Sequence, residues 1–278
     1  MRLRGLAKRI VYGAGHRTEY SFPYFGSRVF FPRNSLIFRL ACDQGVYEPD
    51  VVRFVNQFVT PGSVYLDVGA NIGLMAIATL ASRSDCTVVS VEPSPIALTY
   101  LQRTRAANAN QERWTIVPKA LAAHPGEAVF FEGAAAEGAM GGLRDTGRGG
   151  DKEGISVAVT TVDKLWDELG RPTISVIKMD IEGGECNALA GADACLTAQR
   201  PALVVEWSRL NLPSYGVAED AILQIASRYR YGVFSVPGFA EVRSAVELSL
   251  RMIETETFVL VAKPDHVLPK HKNAEVAS

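Results

Sequence analysis

The sequence has no long apolar run and no strong excess of charge of either sign. Nowhere in its 278 residues is there an uninterrupted apolar stretch of the roughly 20 residues that a membrane-spanning helix needs. The net charge is −1, so the overall balance favours neither nucleic acid nor an anionic membrane as a partner. These absences predict a cytoplasmic protein with no nucleic-acid partner and no stable membrane insertion.

The first ten residues also lack the apolar segment of a secretory signal peptide. They carry four basic residues, Arg2, Arg4, Lys8 and Arg9. This composition is typical of a short basic surface helix, and contact with a membrane is the less favoured interpretation.

Cysteine is scarce, and no two of the four cysteines form a CxxC pair. We therefore expect small buried side chains in a reducing compartment at Cys42, Cys86, Cys186 and Cys195. Hydrophobic residues make up 47 % of the chain and charged residues 21 %, which is typical of a globular protein. Nothing in the composition indicates an oligomeric state.

The pattern along the chain predicts three segments. Residues 1–44 are expected to form a separate N-terminal cap, as a β-hairpin with strands at 22–31 and 35–42 and a turn at Asn34. Residues 45–264 follow as the main domain, and residues 265–278 as a polar, frayed tail.

Strand-like and helix-like patterns alternate through the main domain, which predicts an α/β fold with a mostly parallel sheet. The first of these strands, residues 64–68, is apolar enough to be buried on both faces. Seven sheet strands are predicted, at residues 64–68, 87–91, 114–118, 174–179, 202–205, 233–236 and 257–262. A further strand pair, 128–131 and 155–162, flanks a segment rich in glycine and alanine, 133–154, which we expect to be a mobile loop.

A glycine loop, Asp67-Val-Gly-Ala-Asn-Ile-Gly73, follows the first buried strand and opens a helix. This is the context in which an α/β sheet binds a nucleotide-like ligand. The acid Asp67 stands where a dinucleotide motif has its first glycine, and a carboxylate there would repel a pyrophosphate. It suits S-adenosylmethionine (SAM), which has an ammonium and a sulfonium but no phosphate. Glu92, at the end of the second strand, is placed to accept hydrogen bonds from a ribose diol.

The order and spacing of several motifs resemble those of the FkbM family of methyltransferases. The resemblance spans roughly residues 45–208, and its most diagnostic piece is Lys178-Met-Asp-Ile-Glu-Gly183. The other matching motifs are Tyr47-Glu48-Pro49, the Asp67 loop, Glu92-Pro93, Thr161-Val162-Asp163, Gly191-Ala192, and Pro201 with Glu206. The resemblance implies a Rossmann-like class I methyltransferase fold, with a mostly parallel seven-stranded sheet and helices on both faces.

The same resemblance implies a SAM-dependent enzyme that methylates a hydroxyl group of a sugar, glycan or secondary metabolite. The acceptor would be a small molecule or a glycan. Glu48 is expected at the methionine end of the cofactor, and the backbone of Ala120 and Leu121 near the adenine. The residues expected to contact SAM directly are Asp67, Gly69, Asn71, Gly73 and Glu92.

Acidic residues follow two further strands, so they are expected to meet at the edge of the sheet that carries the glycine loop. Asp180 is the first candidate for the base that takes the hydroxyl proton, and Glu182 and Glu206 are weaker candidates. A SAM contact is the alternative role for Asp180, and Mg²⁺ binding by the acids is less favoured, so no metal is predicted. Lys178 is expected to turn away from this edge.

Two other interpretations remain open from the sequence. One is a nicotinamide-dependent oxidoreductase on a similar sheet, against which Asp67 argues. The other is a non-catalytic SAM-binding module. The residues after Glu206, including Arg209 and Asn211, are placed to contact a polyhydroxyl acceptor, although a solvated loop is the favoured interpretation.

Overall fold

The computed structural model describes residues 3–13, 20–133 and 140–264. The chain begins with helix α1, Leu3–Gly13, followed by the antiparallel strands β1, Ser21–Tyr24, and β2, Ser27–Phe30. A tight turn at Phe25 and Gly26, both with positive φ, joins the two strands. The hairpin therefore closes within the single segment that was predicted to be its first strand.

The predicted second strand of that hairpin, residues 35–42, is instead helix α2, Leu36–Gln44. The Ser35 hydroxyl caps the helix by accepting a hydrogen bond from the backbone N–H of Phe38, at 3.2 Å. The buried side chains are Ile37, Phe38, Ala41 and Cys42, whose spacing forms one helical face. The strand prediction was wrong because two turns of helix in a short apolar segment resemble loose alternation.

The N-terminal segment is also not a separate cap. Its aromatic side chains Phe22, Phe31 and Phe38 belong to the same buried cluster as Ile72 and Met75 of the main domain. The rings of Phe31 and Phe38 stack with centroids 4.0 Å apart. Because this cluster is continuous, the segment forms part of the hydrophobic core on one side of the main sheet.

The rest of the chain alternates strands and helices. The helices are α3 Pro49–Phe58, α4 Leu74–Ser82, α5 Pro95–Ala106, α6 Val162–Glu168, α7 Glu185–Ala190, α8 Asp193–Gln199, α9 Ala221–Arg228 and α10 Ala245–Arg251. The strands are β3 Val64–Val68, β4 Thr87–Val91, β5 Trp114–Val117, β6 Ala120–Leu121, β7 Gly126–Gly133, β8 Lys152–Thr160, β9 Ile174–Met179, β10 Ala202–Glu206, β11 Tyr231–Ser235, β12 Ala240–Val242 and β13 Thr257–Ala262. Short 3-10 turns lie at Gln111–Arg113 and Leu212–Tyr215.

The main sheet has the strand order β12-β11-β13-β10-β9-β3-β4-β5. Strands β10, β9, β3, β4 and β5 pair in parallel, while β13 is antiparallel to both of its neighbours. The seven predicted strands are all present, and β12 adds a short eighth strand at the edge. Two hydrophobic clusters cover the opposite faces, so this is the Rossmann-like α/β fold of class I methyltransferases.

A smaller sheet, in the order β6-β8-β7, lies outside the main one. It contains the predicted strand pair, although β8 ends at Thr160 and helix α6 starts at Val162. Two short helices, α7 and α8, follow one another between β9 and β10. Residues 265–278 lie outside the described part of the chain.

The strand order of the main sheet predicts where a ligand would bind. From β3 the chain adds β4 and β5 on one side, and later adds β9 and β10 on the other. The order therefore reverses between β3 and β9, and ligands of such sheets bind outside the carboxyl ends of the strands at this reversal. None of the described helices is long and apolar enough to cross a bilayer.

The cap of α2 gives a test of this fold. We expect Ser35→Ala to lower the free energy of unfolding by about 1 kcal/mol, because the N–H of Phe38 loses its partner. Ser35→Asp should recover most of the loss, since an aspartate also caps a helix. Denaturant unfolding measures the change. Ser244→Ala removes the equivalent cap of α10, so it serves as a reference for the size of the loss at a serine cap. An unchanged midpoint for Ser35→Ala would exclude the helix start at this residue.

Candidate active site

The glycine loop approaches the end of strand β9 closely. Gly69 has a φ of +77°, and a Cβ atom placed there would lie 1.9 Å from the backbone oxygen of Asp180. The Asp180 N–H in turn donates to the Val68 carbonyl, at 3.1 Å. Only glycine fits between the two strand ends, so the loop and Asp180 are held against each other.

Glu92 fixes the other side of the loop. Its carboxylate accepts hydrogen bonds from the backbone N–H groups of Asn71, at 2.8 Å, and Ser94, at 2.9 Å. Burial raises the pKa of Glu92 to about 7, against the lowering effect of these two hydrogen bonds. A carboxylate can accept further hydrogen bonds, so Glu92 remains able to bind a diol while it orders the loop.

Gly73, at the end of the glycine loop, is closely packed. A Cβ atom there would lie 2.7 Å from the Trp114 ring and 2.8 Å from the Leu101 side chain. The other predicted cofactor residues line one cavity above the strand ends, and they are Glu48, Asp67, Gly69, Asn71, Glu92 and Ala120. Gly73 therefore allows α4 to pack closely against its neighbours, and its contact with the cofactor stays a prediction.

Asp67 is fully buried at the end of β3. Its Oδ1 accepts a hydrogen bond from the Tyr65 hydroxyl at 3.1 Å, while its Oδ2 has no partner within the described residues. Burial raises the pKa of Asp67 to about 6, although Lys178 and Tyr65 lower it. A buried carboxylate oxygen without a partner is costly, which marks a position where a cationic or hydrogen-bond-donating ligand gains affinity.

Glu48 also directs its carboxylate into this cavity. It is the N-cap residue of α3 with a left-handed φ of +45°, yet its side chain makes no capping hydrogen bond. Among the residues that the structure describes, its Oε2 is buried without a partner. Burial raises the pKa of Glu48, and the charge of Asp180 adds to this effect while Lys178 opposes it. A glutamate that served only to cap the helix would bond the N–H groups of the first turn, which Glu48 does not do.

Lys178 was predicted to turn away, and this prediction was wrong. Its ammonium is buried and donates to Asp180 Oδ2 at 2.9 Å. Residues two apart on a strand face the same side, so Lys178 shares the face of Asp180. Burial opposes the lysine charge, but Asp180, Glu48 and Asp67 together raise the pKa of Lys178 above its ordinary value. Lys178 is thus the cation at the centre of the carboxylates.

The three predicted catalytic acids are brought together. Carboxylate oxygens of Asp180, Glu182 and Glu206 lie within 4.8 Å of one another, a spacing that one divalent cation can bridge. Asn211 Nδ2 donates to Glu182 at 2.9 Å and to Glu206 at 3.3 Å. An Arg148 guanidinium nitrogen lies 3.4 Å from Glu182 Oε2. Asn211 thus binds both Glu182 and Glu206, and Arg148 binds Glu182.

Crowding of these acids changes their protonation. Burial, and then the charge of Asp180, raise the pKa of Glu182 to about 7. The pKa of Glu206 lies well above its ordinary value because of burial and the surrounding carboxylates of Asp180, Glu182, Glu185 and Glu256. Burial and the neighbouring charges therefore favour the neutral forms of Glu182 and Glu206 at a higher pH than in exposed carboxyl groups.

Two cavities meet at these side chains. The first contains the glycine loop, Glu92 and Ala120, and the second is bounded by residues 252–257 after α10. Four residues line both cavities: Glu48, Lys178, Asp180 and Glu206. These four side chains therefore form the boundary that the two cavities share.

Several lining residues were not predicted. Leu36, Ile37 and Leu40 of α2 cover the first cavity, and no sequence signal placed that segment near the glycine loop. Arg148 also lines it, from within the segment expected to be a mobile loop. Residues 140–151, which precede β8 in that segment, are held at Gly142, whose backbone exchanges two hydrogen bonds with Phe131. Residues 134–139 lie outside the described part of the chain.

The chain is similar to known methyltransferases. It is 30 % identical over 162 residues to the 31-O-demethyl-FK506 methyltransferase FkbM of Streptomyces tacrolimicus, a match that covers 48 % of this chain and 60 % of that relative. Methyltransferase FkbM from Methylobacillus flagellatus KT has a similar structure, with a TM-score of 0.48 and 18 % identity, over 80 % of this chain and 52 % of that one. An O-methyltransferase from Bacillus cereus gives a TM-score of 0.41 and 12 % identity, over 77 % and 79 % of the two chains.

The model of the methyltransferase FkbM domain matches residues 67–233, from the buried acid that precedes the glycine loop to strand β11. This range contains Glu92, Lys178, Asp180, Glu182 and Glu206. Because the match covers more than half of the sequence, the chain belongs to the FkbM methyltransferase domain family.

Proposed function

We propose that the protein is a SAM-dependent methyltransferase that transfers the methyl group to a hydroxyl oxygen. The observation that carries the proposal is the junction of the two cavities at Glu48, Lys178, Asp180 and Glu206. One cavity has the loop and the acid suited to a nucleoside, and the other is open to an acceptor. Methyl transfer needs this arrangement, because donor and acceptor must meet in line.

The donor set of the first cavity fits SAM. The unpartnered oxygens of Asp67 and Glu48 are suited to an ammonium group, and Glu92 to a ribose diol. When bound, SAM supplies an activated methyl group on its sulfonium. The same carboxylates oppose a pyrophosphate, so these residues favour SAM over a nicotinamide dinucleotide.

The proposed acceptor is a small molecule or glycan with a free hydroxyl group. The second cavity is bordered by Thr255, Thr257, Glu254 and Glu256, which are groups suited to hydrogen bonds with hydroxyls. The Streptomyces relative is a 31-O-demethyl-FK506 methyltransferase, and this name, which describes methylation at an oxygen, supports the same reaction type. The match covers only 60 % of that relative. The proposal therefore does not extend to the particular acceptor on which that relative acts.

Asp180 is the proposed base. Lys178 holds its Oδ2, so Oδ1 is the oxygen left to take the hydroxyl proton as the methyl group is transferred. The neutral form of Glu206, favoured by its raised pKa, can donate a hydrogen bond to the acceptor. Glu182, held by Asn211 and Arg148, is the alternative base because a pKa of about 7 suits proton transfer near neutral pH.

Glu92→Ala tests the cofactor site. We expect SAM binding to weaken by roughly ten- to a hundredfold, because hydrogen bonds to a charged acceptor contribute about 1.5–3 kcal/mol. Calorimetry measures the dissociation constant, and Glu127→Ala, at an exposed position on β7, is the matched control. Unchanged affinity in a folded Glu92→Ala protein would remove this residue from the cofactor site.

Asp180→Asn separates three roles for this side chain. If Asp180 is the base, turnover should fall by roughly 10²–10⁴-fold while SAM affinity changes little. A loss of SAM affinity with turnover preserved at saturation would instead assign it to the cofactor. Inactivation of the wild-type enzyme by a chelator, with rescue by Mg²⁺, would assign the three acids to a metal. Near-normal turnover in a folded variant would move the proton acceptor to Glu182 or Glu206.

A further inference from the structure

Charge is distributed unevenly between the N-terminal segment and the rest of the chain. Residues 1–44 contain eight Lys and Arg but only two Asp and Glu, a net charge of +6. The remaining residues contain the other 21 basic and 28 acidic side chains, a net charge of −7. The overall charge of −1 hides this division, and such separation orients a protein in the field of a charged surface.

Helix α1 presents three aliphatic side chains outward, while its Tyr12 packs against the core. Leu6 is 39 % exposed, Ile10 59 % and Val11 55 %, whereas Gly5 on the opposite side is buried. A Cβ atom at Gly5 would lie 2.7 Å from the backbone oxygen of Cys42, so α1 packs against α2 through its smallest residue. A surface helix normally buries its apolar face, so the orientation of α1 leaves that face without a partner in the described structure.

Exposed basic side chains accompany this apolar face in the N-terminal segment. Lys8 is exposed on α1 itself, and Arg28, Arg33 and Arg39 are exposed on β2, in the turn after it and on α2. An outward apolar stripe with flanking cations is the pattern of a helix that lies in the interface of an anionic membrane. Nucleic acid would use the charges but would leave the apolar stripe in water.

We propose that α1 and these basic side chains dock this protein on anionic lipid. The apolar side chains of Leu6, Ile10 and Val11 enter the boundary between headgroups and acyl chains. The basic side chains bind the lipid headgroups, and the net negative charge of the main domain keeps that domain away from the bilayer. The attachment is peripheral and reversible, as expected of one short interfacial helix.

The packing of α1 connects this docking to the proposed site. Helix α2, which holds α1, also lines the first cavity with Leu36, Ile37 and Leu40. A helix is roughly 10 Å in diameter, so docking keeps the cavity within a few tens of ångströms of the lipid surface. The docking itself is independent of the proposed methyl transfer and requires neither SAM nor an acceptor.

Vesicle binding of the full chain tests the proposal. We expect co-sedimentation with vesicles of phosphatidylcholine containing about 30 % phosphatidylglycerol, at least roughly tenfold stronger than with phosphatidylcholine alone. Binding should weaken in about 0.5 M salt, because exposed charges are then screened beyond a few ångströms. Equal binding to both vesicles, or binding to neither, would overturn the proposal.

Two variants locate the surface. The double substitution Ile10→Glu and Val11→Glu should abolish sedimentation, and Lys8→Glu should reduce it severalfold. Both change exposed side chains, so thermal unfolding should stay near that of the wild type. The matched control is Val246→Glu with Leu250→Glu, which places the same charges on the exposed apolar face of α10 and should leave vesicle binding unchanged. An equal loss of binding in the control would refute the assignment to α1.

Two other occupants of this face give different results. A second copy of the chain would appear as a dimer by light scattering, and Ile10→Glu would convert it to a monomer. A nucleic-acid partner would appear as binding to a single-stranded oligonucleotide without binding to vesicles. Either result would overturn lipid docking.

Discussion

Burial of several carboxylates around one ammonium group is the constraint on which the rest of the site depends. Lys178 is buried among Asp67, Asp180 and Glu48, and further acids lie just beyond. Burial raises the pKa of Asp67 and Glu92, so the native state holds protons there more tightly than the unfolded chain does. The stability that these protons contribute is present below about pH 4 and is lost as the pH rises through 6 to 7. A cationic ligand would offset this loss, which is why a site of this charge fits a sulfonium cofactor.

Two features of the fold make this arrangement possible: the alternation of side chains along neighbouring strands, and one close backbone contact at Gly69. On neighbouring strands, Asp67 lies beside Lys178 in the register, and Asp180 and Glu206 follow on the same face at the carboxyl ends. The contact at Gly69 brings the loop against the end of β9, so the nucleoside side and the acid side of the site share a wall. The buried charges, the strand order and the close contact at Gly69 therefore all determine the geometry of one small region, at the ends of β3 and β9.

Much of this arrangement can be predicted from local sequence, and the features that were not predicted have physical explanations. The sheet, the glycine loop and the gathering of Asp180, Glu182 and Glu206 are predictable, because carboxyl ends of parallel strands share one edge. The prediction for Lys178 was wrong, although Lys178 and Asp180 are two residues apart and residues with this spacing on a strand face the same side. Helix α2 and the 140–151 segment line the site through tertiary packing, which leaves no periodic signal in a single sequence. The outward apolar face of α1 is likewise visible only once its packing partner is known.

The most direct test of the electrostatic account is the pH dependence of SAM affinity, measured by calorimetry beside NAD⁺. Proton binding to Asp67, with a pKa of about 6, and to Glu92, with a pKa of about 7, competes with the ligand as the pH falls. SAM should therefore bind roughly tenfold or more weakly near pH 5.5 than near pH 8, and its binding at the lower pH should release protons to the buffer. NAD⁺ should show no binding at either pH. Binding of NAD⁺ without SAM, or SAM affinity that is the same at both pH values, would contradict the account.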